Sequence, residues 1–473
     1  MLQNPLRRSP LAVCVIMMGL VVCSVPAVAV QYSVTDLGRL DSDPNYPAIP
    51  TAINRSGIVV GWANVKVNWL VLTYHLPHAF TWRNGTLSDI GLLPGSGDFG
   101  MSGARDINDA NYIVGINMGS PPGFPFNGDT LHNHAFLWRP GIGMTDLGSM
   151  TADPNGFSGA YGINAGGHIV GSWAPSNDAN IPHAFLRWSN GVVTHLGALG
   201  GSQSFAWDIN DSNQVVGKAQ TAGGQVRAFL WQNGAMTNLG VLPGFEASSE
   251  AFAINASGQV VGLSASSSGV GHAFLWQPGG TMTDLGTLSG YPSTVAAAIN
   301  DLGLVVGTAF DANGHPTAFI WKEGQIYDLN TLISPGSGWT LQNATGINNA
   351  GHVVGSGIHS GNPGGFLTKV YTLVTSVSPS GAGTIQADPN AAFYDPNANV
   401  TLTARANPGY VFSSWSGDAS GSSNPTTIKL TSSKSVTANF TELRYTLTLR
   451  YDNEAWGTVQ VPERSPTPRC HTG

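Results

Sequence analysis

The sequence predicts an all-β protein: a seven-bladed β-propeller of four-stranded blades followed by a small C-terminal β-rich domain. Three observations carry this. First, four short segments, T-D-L-G, A-I-N, V-V-G and H-A-F-L-W in their cleanest copies, recur in fixed order seven times. Second, the A-I-N asparagines, Asn54, Asn108, Asn164, Asn210, Asn255, Asn300 and Asn348, are spaced 54, 56, 46, 45, 45 and 48 residues apart. Four strand-like runs per period of about 45 residues is the pattern of a propeller blade. Third, 61 Gly and 29 Pro with only 10% charged residues describe a turn-rich chain, and 42% apolar content is enough for a core.

Within one repeat, A-I-N and V-V-G are short β-branched runs flanking a tight turn, which is a hairpin. The residue three after each asparagine is Gly57, Asn111, Gly167, Asn213, Gly258, Gly303 or Gly351. Only Gly and Asn accept positive φ cheaply, so this column, and the asparagine before it, read as turn chemistry rather than a ligand shell. The V-V-G strand is apolar on both faces, as a sheet sandwiched between neighbours requires. The Phe of H-A-F-L-W stands in all seven copies and its Trp in six, a layer of large rings that reads as interblade core. Arg187 is inserted in the third copy, H-A-F-L-R-W, and predicts a local bulge.

Blade order follows from the connections. The longest constant one runs from T-D-L-G to the next A-I-N, so A-I-N is innermost and T-D-L-G outermost. The chain then opens on an orphan outer strand, residues 32–37, and exhausts its repeats after a third strand, residues 365–370. Pairing these two closes the ring without exposed ends.

The histidines His78, His134, His183 and His272 stand at one repeat position, replaced elsewhere by Arg227, Thr317 and Gly364, and the aspartates Asp36, Asp89, Asp146, Asp284 and Asp328 at another, replaced by His195 and Asn238. Such pairs share a hairpin but sit too far apart to build one metal centre. Neither a metal nor a cofactor is expected. Asp41-Ser42-Asp43-Pro44-Asn45 resembles a calcium loop but lacks its glycine and closing glutamate.

Two sets of residues are candidate ligand contacts. Loops after the V-V-G glycine span 16, 18 and 11 residues in the first three copies but 9, 9, 9 and 8 in the rest. The long ones carry Trp62, Trp69, Phe124, Phe126 and Trp173 and belong to consecutive blades, so they cluster on one face, where binding loops sit. The second set lies two residues before the repeat Ile: Thr51, Arg105, Tyr161, Trp207, Phe252, Ala297 and Thr345. Arg105, Tyr161, Trp207 and Phe252 are bulky and diverse in an otherwise fixed repeat, which suits either channel-side ligand contacts or blade-specific packing. Asp106 and Asp208, beside the repeat Ile, are the carboxylates a glycosidase would need. No G-x-S-x-G, H-E-x-x-H or phosphate loop is present. The net charge of −7 and absence of a basic stripe argue against nucleic acid as a partner.

Residues 1–29 read as a secretory signal peptide: Arg7 and Arg8, an apolar run over 11–25, then Ala27-Val28-Ala29 with cleavage after Ala29. The run is short for a membrane span, and Val22 before Cys23 does not suit lipoprotein cleavage. Cleavage leaves Cys470 as the single cysteine, so no intrachain disulfide is expected.

After Val370 the period stops. Residues 371–442 form one unit of alternating runs with Tyr394, Tyr410, Phe412, Trp415 and Phe440 as core candidates. A second copy starts at Tyr445 and breaks off at Pro462, so residues 443–473 are expected to be a poorly ordered, truncated repeat with a disordered Pro-rich tail.

The repeat over residues 31–370, with H-A-F-L-W at 272–276, M-T-D-L-G at 282–286 and A-I-N…V-V-G at 253–262, resembles the bacterial extracellular HAF repeat family. The unit at 371–442, with G-Y-V-F-S-S-W-S-G-D at 409–418 and S-V-T-A-N-F at 435–440, is similar to the divergent internalin-type B repeat. These resemblances imply a secreted or cell-surface bacterial protein and bring no catalytic set. The expected role is a non-enzymatic scaffold binding a glycan or a protein. The rival is an extracellular polysaccharide hydrolase or lyase working through propeller-face carboxylates.

Overall fold

A computed structural model describes residues 31–444 except 70, 71, 98, 120–132, 154 and 179, and the side chain of Trp69. The signal-peptide segment and the second C-terminal copy therefore lie outside the described residues.

The repeats fold into seven four-stranded antiparallel sheets, six of them formed by four strands consecutive in sequence. Blade 1 runs Ile49–Ile53, Val59–Trp69, Leu72–Arg83 and Thr86–Gly91. The A-I-N strands are innermost in every blade: Ile49–Ile53, Met101–Ile107, Phe157–Ile163, Gly200–Ile209, Ser248–Ile254, Ser293–Ile299 and Trp339–Ile347. The last blade borrows its outer strand from the start of the chain. Val34, Thr35 and Asp36 pair with Thr368, Leu367 and Phe366. The predicted phasing and closure are thus what the chain adopts.

The core lies between blades, as the apolar faces of each sheet require. The seven phenylalanines, Phe80, Phe136, Phe185, Phe229, Phe274, Phe319 and Phe366, are fully buried. Opposite each phenylalanine stands the V-V-G glycine of the neighbouring strand, as Gly217 stands opposite Phe229. A Cβ on Gly217 would overlap the carbonyl oxygen of Phe205 on the inner strand, and all seven equivalents meet the same obstacle. The column is glycine because two backbones approach too closely for a side chain.

The turn after A-I-N behaves as predicted. Its third residue has positive φ in all seven copies, from 59° at Asn213 to 82° at Gly351. The asparagine does more than make the turn. Its Oδ1 accepts the N–H four residues on, at 2.9–3.0 Å in every copy. Its Nδ2 donates to the backbone carbonyl of the next blade's asparagine at 3.0–3.2 Å, and Asn348 donates to Asn54. Seven amides therefore form an unbroken ring around the axis.

A second stitch is a hydroxyl column. Ser102, Ser158, Ser204, Ser249 and Thr294 each accept the N–H of the previous blade's H-A-F alanine and donate to a carbonyl of that same blade.

The Arg187 insertion produces no bulge of its own. Arg187 pairs with Ile169 as Trp231 pairs with Val215, and the register shift beside the phenylalanine recurs in other blades. The extra residue is absorbed at the strand end. Trp188 moves into the following turn, where its ring meets His168 at 4.9 Å and its Nε1 donates to Thr194.

The C-terminal unit has two three-stranded sheets. One orders Leu373–Ser378, Lys434–Glu442 and Tyr410–Gly417; the other orders Gly383–Asp388, Asn399–Ala406 and Thr426–Lys429. Tyr394, Trp415 and Phe440 are buried between them, with Tyr410 and Phe412 at the margin. The unit packs on the last blades. Tyr32 Oη donates to Tyr394 O at 2.9 Å, the buried Lys322 ammonium donates to the carbonyls of Leu373 and Ala392, and Phe393 joins the propeller core.

Candidate functional site

Every inner strand carries a β-bulge one turn before its end. The extra, unpaired residues are Thr51, Arg105, Tyr161, Trp207, Phe252, Ala297 and Thr345. This is the variable column of the sequence. A bulged residue is released from the ladder and re-aims its side chain, so the column is free to vary while its neighbours stay small. All seven residues line one cavity on the axis of about 210 Å³. Arg105, Tyr161, Trp207 and Phe252 also wall an adjoining mouth cavity of about 320 Å³. The structure brings these four predicted residues together.

The aromatic walls are braced. Trp207 Nε1 donates to Glu250 at 2.7 Å, and Glu250 is held by Lys218 at 2.9 Å. The Lys218 ammonium lies 4.9 Å from the Phe205 ring centroid, and Phe205 stacks on Trp207 at 5.6 Å. Tyr161 meets Trp207 edge-on at 4.7 Å.

Below the bulges lie Asp106 and Asp208, lining the same axial cavity. Each staples two blades. Asp106 accepts the N–H groups of Ile107 and Ile163, and Asp208 those of Ile209 and Ile254, at 2.7–2.9 Å. Burial raises both carboxyls above the ordinary range, and for Asp208 burial with the charge of Asp106 pushes it up to about 7. Under them the seven repeat isoleucines ring the axis, and the asparagine ring opens on the opposite face as a polar funnel of about 320 Å³.

The loop candidates separate. Trp173 lines a further cavity of about 430 Å³ between blades 2, 3 and 4, with Phe157, Tyr161, Phe205, Gln203 and Asn180. Its Nε1 donates to His195 Nδ1 at 2.9 Å and its ring lies 4.8 Å from His183. Burial, then repulsion from His195, lowers the pKa of His183. Trp62 is half-buried in the second strand of blade 1, beside Gly103, and reaches none of these cavities. The segment 62–77 is not a loop. Val59–Trp69 and Leu72–Arg83 stay paired out to Trp69 and Leu72, so the insertion extends blade 1 as a hairpin. Phe124 and Phe126, and the side chain of Trp69, lie outside the described residues.

The His–Asp pairs form within blades: His78–Asp89 at 2.9 Å, His134–Asp146 at 3.0 Å and His272–Asp284 at 2.7 Å. In blade 7 Gly364 replaces the histidine, and His359 from the neighbouring strand reaches Asp36 instead, at 3.1 Å. Asp41 and Asp43 bond backbone N–H groups, and Asp41 Oδ2 meets His75 at 2.6 Å. The calcium-like loop is therefore a pair of Asx turns. Sequence reasoning missed Phe205, Gln203 and Asn180. The first two precede Trp207 on one strand, and their alternation with it was the available signal.

The fold defines a closed seven-bladed propeller with a β-rich C-terminal unit and an aromatic cavity at one channel mouth. Residues 373–444 match the family model of the divergent InlB B-repeat domain. No curated protein matches the chain. Among solved structures, the chain is similar to the β-propeller domain of the trilobed protease from Pyrococcus furiosus, at 12% identity over 68% of this chain and 95% of that one, with TM-score 0.41. It is also similar to Trypanosoma rangeli sialidase, at 13% identity over 72% and 60% with TM-score 0.36. AofleA from Arthrobotrys oligospora matches at 12% identity over 64% and 91%, with TM-score 0.35. Among the described residues no helix is long and apolar enough to cross a membrane.

Proposed function

We propose that this chain is an extracellular or cell-surface binding scaffold that holds a glycan or protein segment at the channel mouth walled by Arg105, Tyr161, Trp207 and Phe252. The observation that supports it most is the coincidence of seven bulges with the variable column. The inner strand keeps the same bulge in every blade while the side chains it releases toward one cavity differ. A preformed cavity with aromatic walls and few polar groups is the usual form of a small-ligand site. The extracellular placement draws on the signal-like leader, the HAF-type repeat and the B-repeat match at 373–444.

The hydrolase reading draws on one observation, the raised carboxyl of Asp208 beside Asp106. Against it, both oxygens of each carboxylate already accept backbone N–H bonds, one from its own strand and one from the neighbouring blade. Glycan-array binding and a polysaccharide turnover screen on the full chain separate the two. Binding lost in Trp207→Ala, without turnover, is the expected result. Turnover abolished by Asp106→Asn or Asp208→Asn would establish the enzyme instead.

A further inference from the structure

Two cavities on the loop face share a wall. The mouth cavity of about 320 Å³ and the interblade cavity of about 430 Å³ meet at Tyr161, which lines both. Each lies near the lower bound for a ligand site, and together they suit an extended ligand. Their chemistry differs. Among the described residues no charged group lines the interblade cavity, whose walls are aromatic and apolar residues interspersed with Asn133, Asn180, Gln203 and serines. Its main platform, Trp173, is fixed in place by His195 and His183. Rings flanked by amide groups match the apolar face and hydroxyl edge of a neutral sugar.

Among the described residues Arg105 is the one charged group lining the mouth cavity. Arg105 is exposed and forms no ion pair among the described residues. Lys218 is neutralised by Glu250. Burial raises the Asp106 carboxyl and burial with the charge of Asp106 raises that of Asp208, each against the backbone N–H groups it accepts. The guanidinium charge is left for a ligand at the rim, and its planar fork fits a carboxylate.

We propose that this groove binds a linear acidic oligosaccharide across two subsites, a neutral ring against Trp173 and a carboxylate-bearing unit at Arg105, with Tyr161 between them. The proposal rests on the binding reading above and specifies its ligand class. Its test is calorimetric titration of the full chain with uronic-acid-containing oligosaccharides of one to six units and with the same series after carboxyl reduction. Affinity should rise roughly tenfold from one unit to three and then level off, and carboxyl reduction should cost roughly tenfold. Arg105→Gln should erase the difference between the two series while leaving the reduced series unchanged. Trp173→Ala should erase the gain with length. Equal binding of both series by the native chain, or a preference that survives Arg105→Gln, overturns the acidic assignment and leaves the binding reading standing. Capture of a polypeptide in a Trp207-dependent way, with neither series bound, does the same. Failure of both series together with no Trp207-dependent binding of any glycan or polypeptide sinks both.

Discussion

The two faces of the disc are built from the same repeat and do opposite things. On the funnel face every blade contributes the same asparagine, and the seven side chains form one circular hydrogen-bonded ring. On the loop face the bulged position differs from blade to blade, from Ala297 to Trp207, and the second-to-third connections differ in length. The difference shows where a repeat protein keeps its stability and where it is free to diversify. Substitutions at the ring break bonds in two blades at once, whereas bulged side chains touch a cavity and leave the ladders intact.

Closure is the hardest test of the stitched scaffold. Removing residues 31–37 leaves the last blade with three strands and strips Tyr32 from the core, so thermal unfolding should occur roughly 10 °C or more lower. A smaller change of the same kind is Gly217→Ala. The new methyl overlaps backbone rather than a movable side chain, and chemical denaturation should show a loss of about 3 kcal/mol or more. Asn164→Ala removes a turn bond and bonds to blade 4 from a buried site, at about 2 kcal/mol. Phe252→Ala, half-buried on the opposite face, should cost less than about 1 kcal/mol by the same measurement while weakening ligand. Equal losses at Asn164 and Phe252 would erase the contrast between faces.

The remaining effect is a slope and not a single loss. The Asp208 carboxyl is raised in the folded state from 3.8 to about 7 by burial and by Asp106. Between those values the folded chain holds more protons than the unfolded chain, so this group's contribution to stability falls as pH rises through the window. Asp208→Asn should flatten the fall in unfolding temperature between about pH 4 and 7. A slope identical to that of the native chain would show that another group controls it.

Much of this was legible beforehand because the repeat is strongly periodic. Blade number, strand order, closure by the first strand and the positive-φ turns all follow from spacing and from Gly and Asn columns. The asparagine ring was not, because a side chain that bonds its own turn and the next blade looks, in one dimension, like a turn residue alone. The hydroxyl stitch escaped for the same reason: Ser102, Ser158, Ser204, Ser249 and Thr294 are ordinary strand residues until two blades are set side by side. The residues of the mouth cavity were found as a variable column, but their common cause, a bulge, needed the register. Loop length misled at blade 1, where an insertion predicted as a loop is a continued ladder.

Tyr32 ties the start of the ring to its end and to the unit beyond. Its hydroxyl donates to Tyr394 and accepts the N–H of Tyr371, while its backbone joins Leu332. A ribosome that has made six complete blades has therefore made an open arc. The first strand must stay unpaired until residues 366–368 emerge, and its tyrosine must wait longer still, for residue 394. The finished disc becomes a single locked object only late in synthesis, and the module that follows it acts as the bolt.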